Sequence, residues 1–194
     1  MFFWVILASV AVALLRGGRL KALADLPFRH GWLVIAAFAL RAGLGWAPAA
    51  GIALSDAVVW AVQAVSHLAL LAAVVINRQV AGVPTLGLGI LGNALAILSN
   101  GGRMPVSPEA VAAVSAEMGL EKLFEGGSYL HQPMAEATRL SFLADILPSP
   151  AWLPGNHVYS IGDLLIMAGL FVMIQRLALR PPAARPAGTG TGVA

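Results

Sequence analysis

Long stretches almost free of charge recur along this chain, and they constrain its fold more than any single motif does. Five are read as membrane spans: residues 2–15 ("FFWVILASVAVALL"), 32–46, 52–76, 80–99 and 161–177. Most approach the length at which an apolar helix crosses a hydrocarbon core. The first is short for a span, and its positive cluster "RGGRLK" follows the apolar run instead of preceding it. A secretory leader has the opposite charge order and a cleavage site, so a retained helix is expected. Tryptophans bracket the second stretch at Trp32 and Trp46, as at a membrane–water interface. Glycines crowd the fourth, which suits close helix packing. With 59% hydrophobic and 11% charged residues, the balance is that of a polytopic membrane protein. The expected fold is therefore an all-α membrane bundle of about five transmembrane helices, one domain over residues 1–178. Residues 179–194 read as a disordered tail.

Arginine and lysine positions give the expected orientation. Arg16, Arg19, Lys21, Arg29, Arg78, Arg176, Arg180 and Arg185 fall on one side. The other side has Arg103, Lys122 and Arg139 against Glu109, Glu117, Glu121, Glu125, Glu136 and Asp145. The positive-inside rule then puts the amino terminus outside, the carboxyl terminus inside, and residues 100–160 beyond the outer face of a bacterial cytoplasmic membrane. The same sorting argues against nucleic acid as a partner, although the pI is near 10.0. No cysteine is present, which removes disulfides, thiolate metal sites and cysteine nucleophiles.

Residues 100–160 are expected to form a cap of two short helices. "SPEAVAAVSAEMGL" offers Ser107 as N-cap, Pro108 at the first helical position and Glu109 at the positive end of the dipole. "MAEATRLSFLADIL" reads as the second helix, ended by Pro148 and Pro150.

Two carboxylates frame the link from this cap to the last span. Asp163 lies in "SIGD", where Ser160 and Asp163 have nearly the spacing of a capping box, so capping alone would account for it. Asp145 is read in the last turn of the second cap helix, where the dipole disfavours a negative charge. Brought together in a poorly solvated site, the two would share a proton, and such a pair hydrolyses amides or esters without metal or thiol. Asn100 and Arg103 of "NGGRMPVS" are expected to orient the substrate, with a tight turn and a snorkelling arginine as the plainer account. Within the spans, Arg41 and Asp56 are read at similar depth as an ion pair, with Gln63 and His67 continuing a polar stripe. His131, His157 and the two aspartates lack the short helical spacing of a zinc site, and no metal or cofactor is expected.

Residues 142–174, "FLADILPSPAWLPGNHVYSIGDLLIMAGLFVMI", resemble the closing portion of lipoprotein signal peptidase (signal peptidase II). That family has an aspartate after an apolar pair, then a loop of nearly twenty residues, then a second aspartate in an apolar-Asn-x-Ala-Asp motif opening its last span. The resemblance implies Asp145 and Asp163 as the catalytic pair. Ser160 and Gly162 stand where that motif has asparagine and alanine. Over most of its length the chain also resembles an uncharacterised family of small bacterial membrane proteins, a domain of unknown function. "LLRGGRL", "NGGRMPVS", His131, "TRLSFLADILP" and "VYSIGDLLIMAGLF" carry that likeness.

The function expected is an aspartate-dyad membrane hydrolase at the outer leaflet, acting on a lipid-linked or membrane-embedded peptide. Asn100, Arg103, His131 and Ser160 would contact the substrate, and membrane lipid would be the surrounding partner. The alternative is a non-enzymatic binding or scaffold subunit, or a small carrier, using the Arg41–Asp56–Gln63–His67 stripe. A carrier usually shows repeated halves with broken helices, and the sequence shows neither.

Overall fold

The computed structural model describes residues 2–114, 128–152 and 155–181. Glu117, Glu121, Lys122, Glu125, the end of the first cap helix, Arg185 and the tail from 182 onward lie outside the described residues. Five long helices carry the architecture: α1 (Phe2–Leu15), α3 (Trp32–Trp46), α4 (Asp56–Ile76), α5 (Val83–Ser99) and α7 (Ile161–Ala178). Short helices α2 (Lys21–Ala24) and α6 (Pro108–Val114) sit in the connections. The long helices pack side by side in the order α3, α4, α5, α7, α1.

Helix starts follow local chemistry. Ser55 caps α4 by accepting from the Val58 N–H (3.4 Å), so the helix begins at Asp56 and leaves Ile52–Ser55 as its approach. Gly82, in the left-handed conformation at φ +89°, precedes α5 and delays it to Val83. Ser107 caps α6 through the Ala110 N–H at 3.1 Å, as expected.

Some of these helices bury polar side chains while leaving large apolar ones exposed. On α4 the buried side chains include Gln63 (0% exposed) and His67 (4%), while Val65, Leu68 and Val75 on the same helix are 55–64% exposed. Ser9 of α1 and Gln175 of α7 are buried too, against exposed Leu7 and Leu14. Water would drive the opposite arrangement. By length and hydropathy, α4 and α7 are long and apolar enough to cross a membrane. The apolar helices α1, α3 and α5 are shorter, with 14, 15 and 17 residues. At ~1.5 Å per residue the first two reach roughly 21–23 Å, less than a hydrocarbon core of ~30 Å.

The two sets of connections gather at opposite ends. At one end the Arg29 N–H donates to Asn77 Oδ1 (2.7 Å) and the Arg19 N–H to the Ala178 carbonyl (2.8 Å), which brings together the first loop, the α4–α5 turn and the end of α7. At the other end lies the cap. It is not the pair of helices expected. Strand β1 (Met104–Val106) pairs in parallel with β2 (His131–Pro133), and β3 (Leu147–Pro148) pairs antiparallel with β4 (Val158–Tyr159). The stretch 134–147 forms turns, a 3-10 turn at Ser141–Leu143 and strand β3. Two features stop a helix there. Leu140 is left-handed at φ +51°, a conformation no helix continues through. The Asn100 side chain also clasps the Arg139 backbone on both sides, Nδ2 donating to its carbonyl (2.8 Å) and Oδ1 accepting its N–H (2.9 Å).

Candidate functional site

The cap delivers Asp145 to the bundle on extended backbone. Its N–H donates to the Pro105 carbonyl at 3.0 Å and its carbonyl accepts the Ser107 N–H at 2.8 Å, so the residue adds a third row beside β1. The expectation of a last helical turn is thereby corrected. Asp145 is 7% exposed and its Oδ1 is buried without a hydrogen-bond partner. Burial, and secondarily the charge of Asp163, push its carboxyl up to about 8, with the Arg41 guanidinium opposing them. At neutral pH Asp145 is a neutral acid.

Asp163, by contrast, has hydrogen-bond partners on both oxygens. It forms a complete capping box with Ser160: Ser160 Oγ accepts the Asp163 N–H (2.9 Å), and Asp163 Oδ2 accepts the Ser160 N–H (3.1 Å). Its other oxygen accepts from Asn93 Nδ2 at 2.9 Å, while Ser160 Oγ donates to Asn93 Oδ1 at 2.8 Å. Asn93, Ser160 and Asp163 thus close a ring in which every polar atom has its complement. Gly162 makes the ring possible. A Cβ there would collide with Asn93 Oδ1 and come within 2.7 Å of the Gly89 carbonyl.

His131 and Tyr159 complete the surroundings. Burial lowers the pKa of the His131 imidazole, Arg41 adds to this and Asp163 opposes it. The Tyr159 hydroxyl is buried without a partner, and burial followed by the Asp163 charge raises its pKa. Beneath them, Arg41 Nη1 of α3 donates to Gln63 Oε1 of α4 at 2.8 Å and lies 3.5 Å from His67 Nε2. The Gln63 carbonyl accepts from His67 Nδ1–H (2.8 Å), which assigns Nε2 as the acceptor facing Arg41. Gln63 Nε2 is buried and unpartnered.

Asp145 thus lies within electrostatic reach of Asp163 and Arg41, His131 within reach of Arg41 and Asp163, and Ser160 joins them through its hydrogen bonds to Asp163. The structure separates others. The expected pairing of Arg41 with Asp56 is replaced: Asp56 bonds Arg103 at 2.8 Å on the outside, its own side chain 81% exposed. Arg103 also donates to the Ser128 carbonyl (3.3 Å) and lies 5.8 Å from the centre of the Tyr129 ring. Asn100 places its amide on the Ala96 and Arg139 backbones. Gly101 and Gly102 both have positive φ, and a Cβ on Gly102 would strike the Trp60 backbone at 2.7 Å. "NGGRMPVS" thus pins the cap to α4 and α5, and neither Asn100 nor Arg103 faces the aspartates as donors. Asn93 and Tyr159 are the members that sequence reasoning missed. An asparagine in the middle of "LGLGILGNALAILS" was the available signal, since amides are rare at such depth without a task. Among the described residues, no three His, Asp or Glu side chains are grouped as a metal would require.

A family model described as "Family of unknown function (DUF5317)" matches residues 25–175, and the chain belongs to that family. A curated relative, an uncharacterized protein of Thermotoga maritima, is 26% identical over 98 residues, half of this chain and 52% of its own length. The chain thus spans about half the length of the curated relative it matches. No solved structure matches.

Proposed function

We propose, from membership of this family as the premise, that the chain is a multi-pass membrane protein with an aspartate-pair hydrolytic site at its outer end. Its substrate would be a lipid-linked or membrane-embedded peptide. The many large apolar side chains exposed on α1 and α4, around buried Ser9, Gln63 and His67, support the bilayer, because water disfavours such broad apolar exposure. In this reading α1, α3 and α5 also cross, with local thinning or flanking polar residues taking up their shortness, and the arginine-rich end faces the cytoplasm.

One observation carries the hydrolase reading. Asp145 is a buried neutral acid with a free oxygen, and the charge of Asp163 helps keep it neutral. Two carboxyl groups with separated roles are what acid–base hydrolysis requires. Asp163, oriented by Ser160 and Asn93, keeps a lone pair on each oxygen and takes a proton from the attacking water. Asp145 gives its proton to the scissile carbonyl oxygen as the water oxygen bonds to carbon. When the intermediate collapses and the carbon–nitrogen bond breaks, the leaving nitrogen takes the proton from Asp163. Asp145 recovers its own from the hydroxyl as the carbonyl re-forms. The likeness to signal peptidase II gains a physical reason for its departures. The amide expected three residues before the second aspartate comes from α5 as Asn93, and Gly162 leaves it room.

The test uses the full chain in proteoliposomes with a quenched fluorogenic peptide bearing a diacylglyceryl cysteine. Wild-type protein should cleave it, with activity declining as pH rises past about 8, where Asp145 ionises. Asp145→Asn and Asp163→Asn should each lose roughly a hundredfold or more. Cleavage unchanged in both variants, or none above empty liposomes with wild-type protein, sinks the reading. A second reading is favoured by one atom, the buried unpartnered Nε2 of Gln63. Together with Arg41 and His67 it makes a polar wall for a non-enzymatic binding subunit, from which Asp56 is now removed.

A further inference from the structure

A separate polar feature lies at the other end of the molecule. The ends of α1 and α7 border an open pocket of about 550 Å³. Arg16, Arg176 and Arg180 line it, and Phe171, Val172 and Leu179 form an apolar wall. Among the described residues the sole ion pair is Arg103–Asp56 in the cap, and none of these arginines is paired with a described carboxylate. One of them is positioned by a buried network. Arg16 Nη1 donates to Gln175 Oε1 at 3.1 Å. Gln175 is 6% exposed, and its Nε2 donates to the Ser9 carbonyl (2.6 Å) and lies 3.2 Å from Ser9 Oγ. Ser9 Oγ in turn donates to the Phe171 carbonyl at 3.2 Å. A glutamine and a serine inside an apolar helix contact are costly unless they bond each other. Here their last free acceptor orients a guanidinium toward the pocket.

We propose that this pocket binds the phosphate of an anionic phospholipid, with Arg16 fixed as the anchoring donor and Arg176 and Arg180 closing around the charge. Guanidinium groups match phosphate oxygens in geometry as well as sign. The volume is far more than a bare phosphate fills, and the Phe171–Val172–Leu179 side gives a glycerol backbone and the head of an acyl chain somewhere apolar to lie. A lipid is therefore the occupant rather than a soluble phosphate. The site rests on the chain's residence in a bilayer and is independent of the hydrolase reading.

The full chain, extracted in mild detergent, is titrated with phosphatidylglycerol and with phosphatidylcholine, and bound lipid is counted by native mass spectrometry. Wild-type protein should retain phosphatidylglycerol at least tenfold more tightly. Arg176→Gln and Arg180→Gln, both exposed side chains, should each weaken it by roughly fivefold. Gln175→Leu keeps every arginine but frees Arg16 and should also weaken it. Should that variant fail to fold, the two arginine variants still decide. Arg78→Gln, on another loop of the same end, should change nothing. Equal retention of both lipids, or an Arg78→Gln loss as large as the others, overturns the proposal. So does full displacement by millimolar inorganic phosphate, which would make a soluble anion the ligand. Fractionation separates the two failures. A membrane-bound chain without lipid preference ends this proposal alone, and a chain recovered as soluble ends both.

Discussion

At the scale of single residues, Asp145 and Asp163 show how one side-chain type takes two roles. Asp163 accepts from two donors, whereas Asp145 meets none at Oδ1 and burial raises its pKa. Asp145 should therefore make the fold less stable as pH rises. Unfolded, it loses its proton near pH 4. Folded, it holds the proton to about 8. Between those values the native state binds more protons, so stability falls across that window and levels off above it. Asp145→Asn keeps the shape and removes the ionisation. Its thermal midpoint in detergent should exceed that of wild-type protein at pH 8, by an equivalent of about 1–3 kcal/mol, and the pH 5–8 slope should flatten. A variant with the wild-type slope would show that Asp145 is solvated. The sequence named both aspartates and Ser160 because capping spacing and loop length are local properties. It missed Asn93, whose partners lie 67 and 70 residues away.

At the scale of elements, the contact between α5 and α7 is set by glycines facing across an antiparallel crossing. Gly82 meets the Gly169 carbonyl and Gly89 meets the Gly162 carbonyl. A spacing of seven, from Gly82 just ahead of α5 to Gly89 and from Gly162 to Gly169 on α7, keeps both pairs on one seam. The glycine-rich fourth stretch was legible as a close-packing helix, but which helix it packs against was not. A Cβ on Gly169 would lie 2.5 Å from the Leu86 nitrogen and 2.6 Å from the Gly82 carbonyl, both backbone atoms that cannot swing aside. Gly169→Ala should cost about 1–3 kcal/mol. Gly92→Ala on α5, whose nearest neighbour would be Leu143 Cδ2 at 3.8 Å, should be neutral within about 0.5 kcal/mol. Thermal melts of the two variants side by side check this, and equal losses would break the seam argument. The helix expected at 134–147 failed for a complementary reason. Helical periodicity in that stretch is real, but Asn100 supplies the Arg139 backbone with partners from 39 residues away.

At the scale of the whole molecule, the first loop, the α4–α5 turn and the end of α7, which carry most of the arginines, meet at one end, and the described part of the cap, with Glu109, Glu136 and Asp145, lies at the other. That polarity is what the orientation proposal needs, and the absence of cysteine makes it simple to test. In intact spheroplasts a membrane-impermeant maleimide should label Glu136→Cys, in the cap, and should label Gln79→Cys only after permeabilisation. The reverse pattern would invert the orientation. Labelling of both from outside would mean that α4 and α5 do not cross as proposed.

Apolar run lengths, arginine placement and the two aspartates of "LADILP" and "SIGD" were determined by the sequence alone, because each depends on residues a few positions apart. The tertiary structure alone decided that Asp56 pairs with Arg103, that Asn100 holds a turn, and that Asn93 reaches Asp163. In each of those cases a buried polar group or exposed charge is satisfied by whichever partner the packing brings within about 3 Å, and that partner is 39 to 70 residues away.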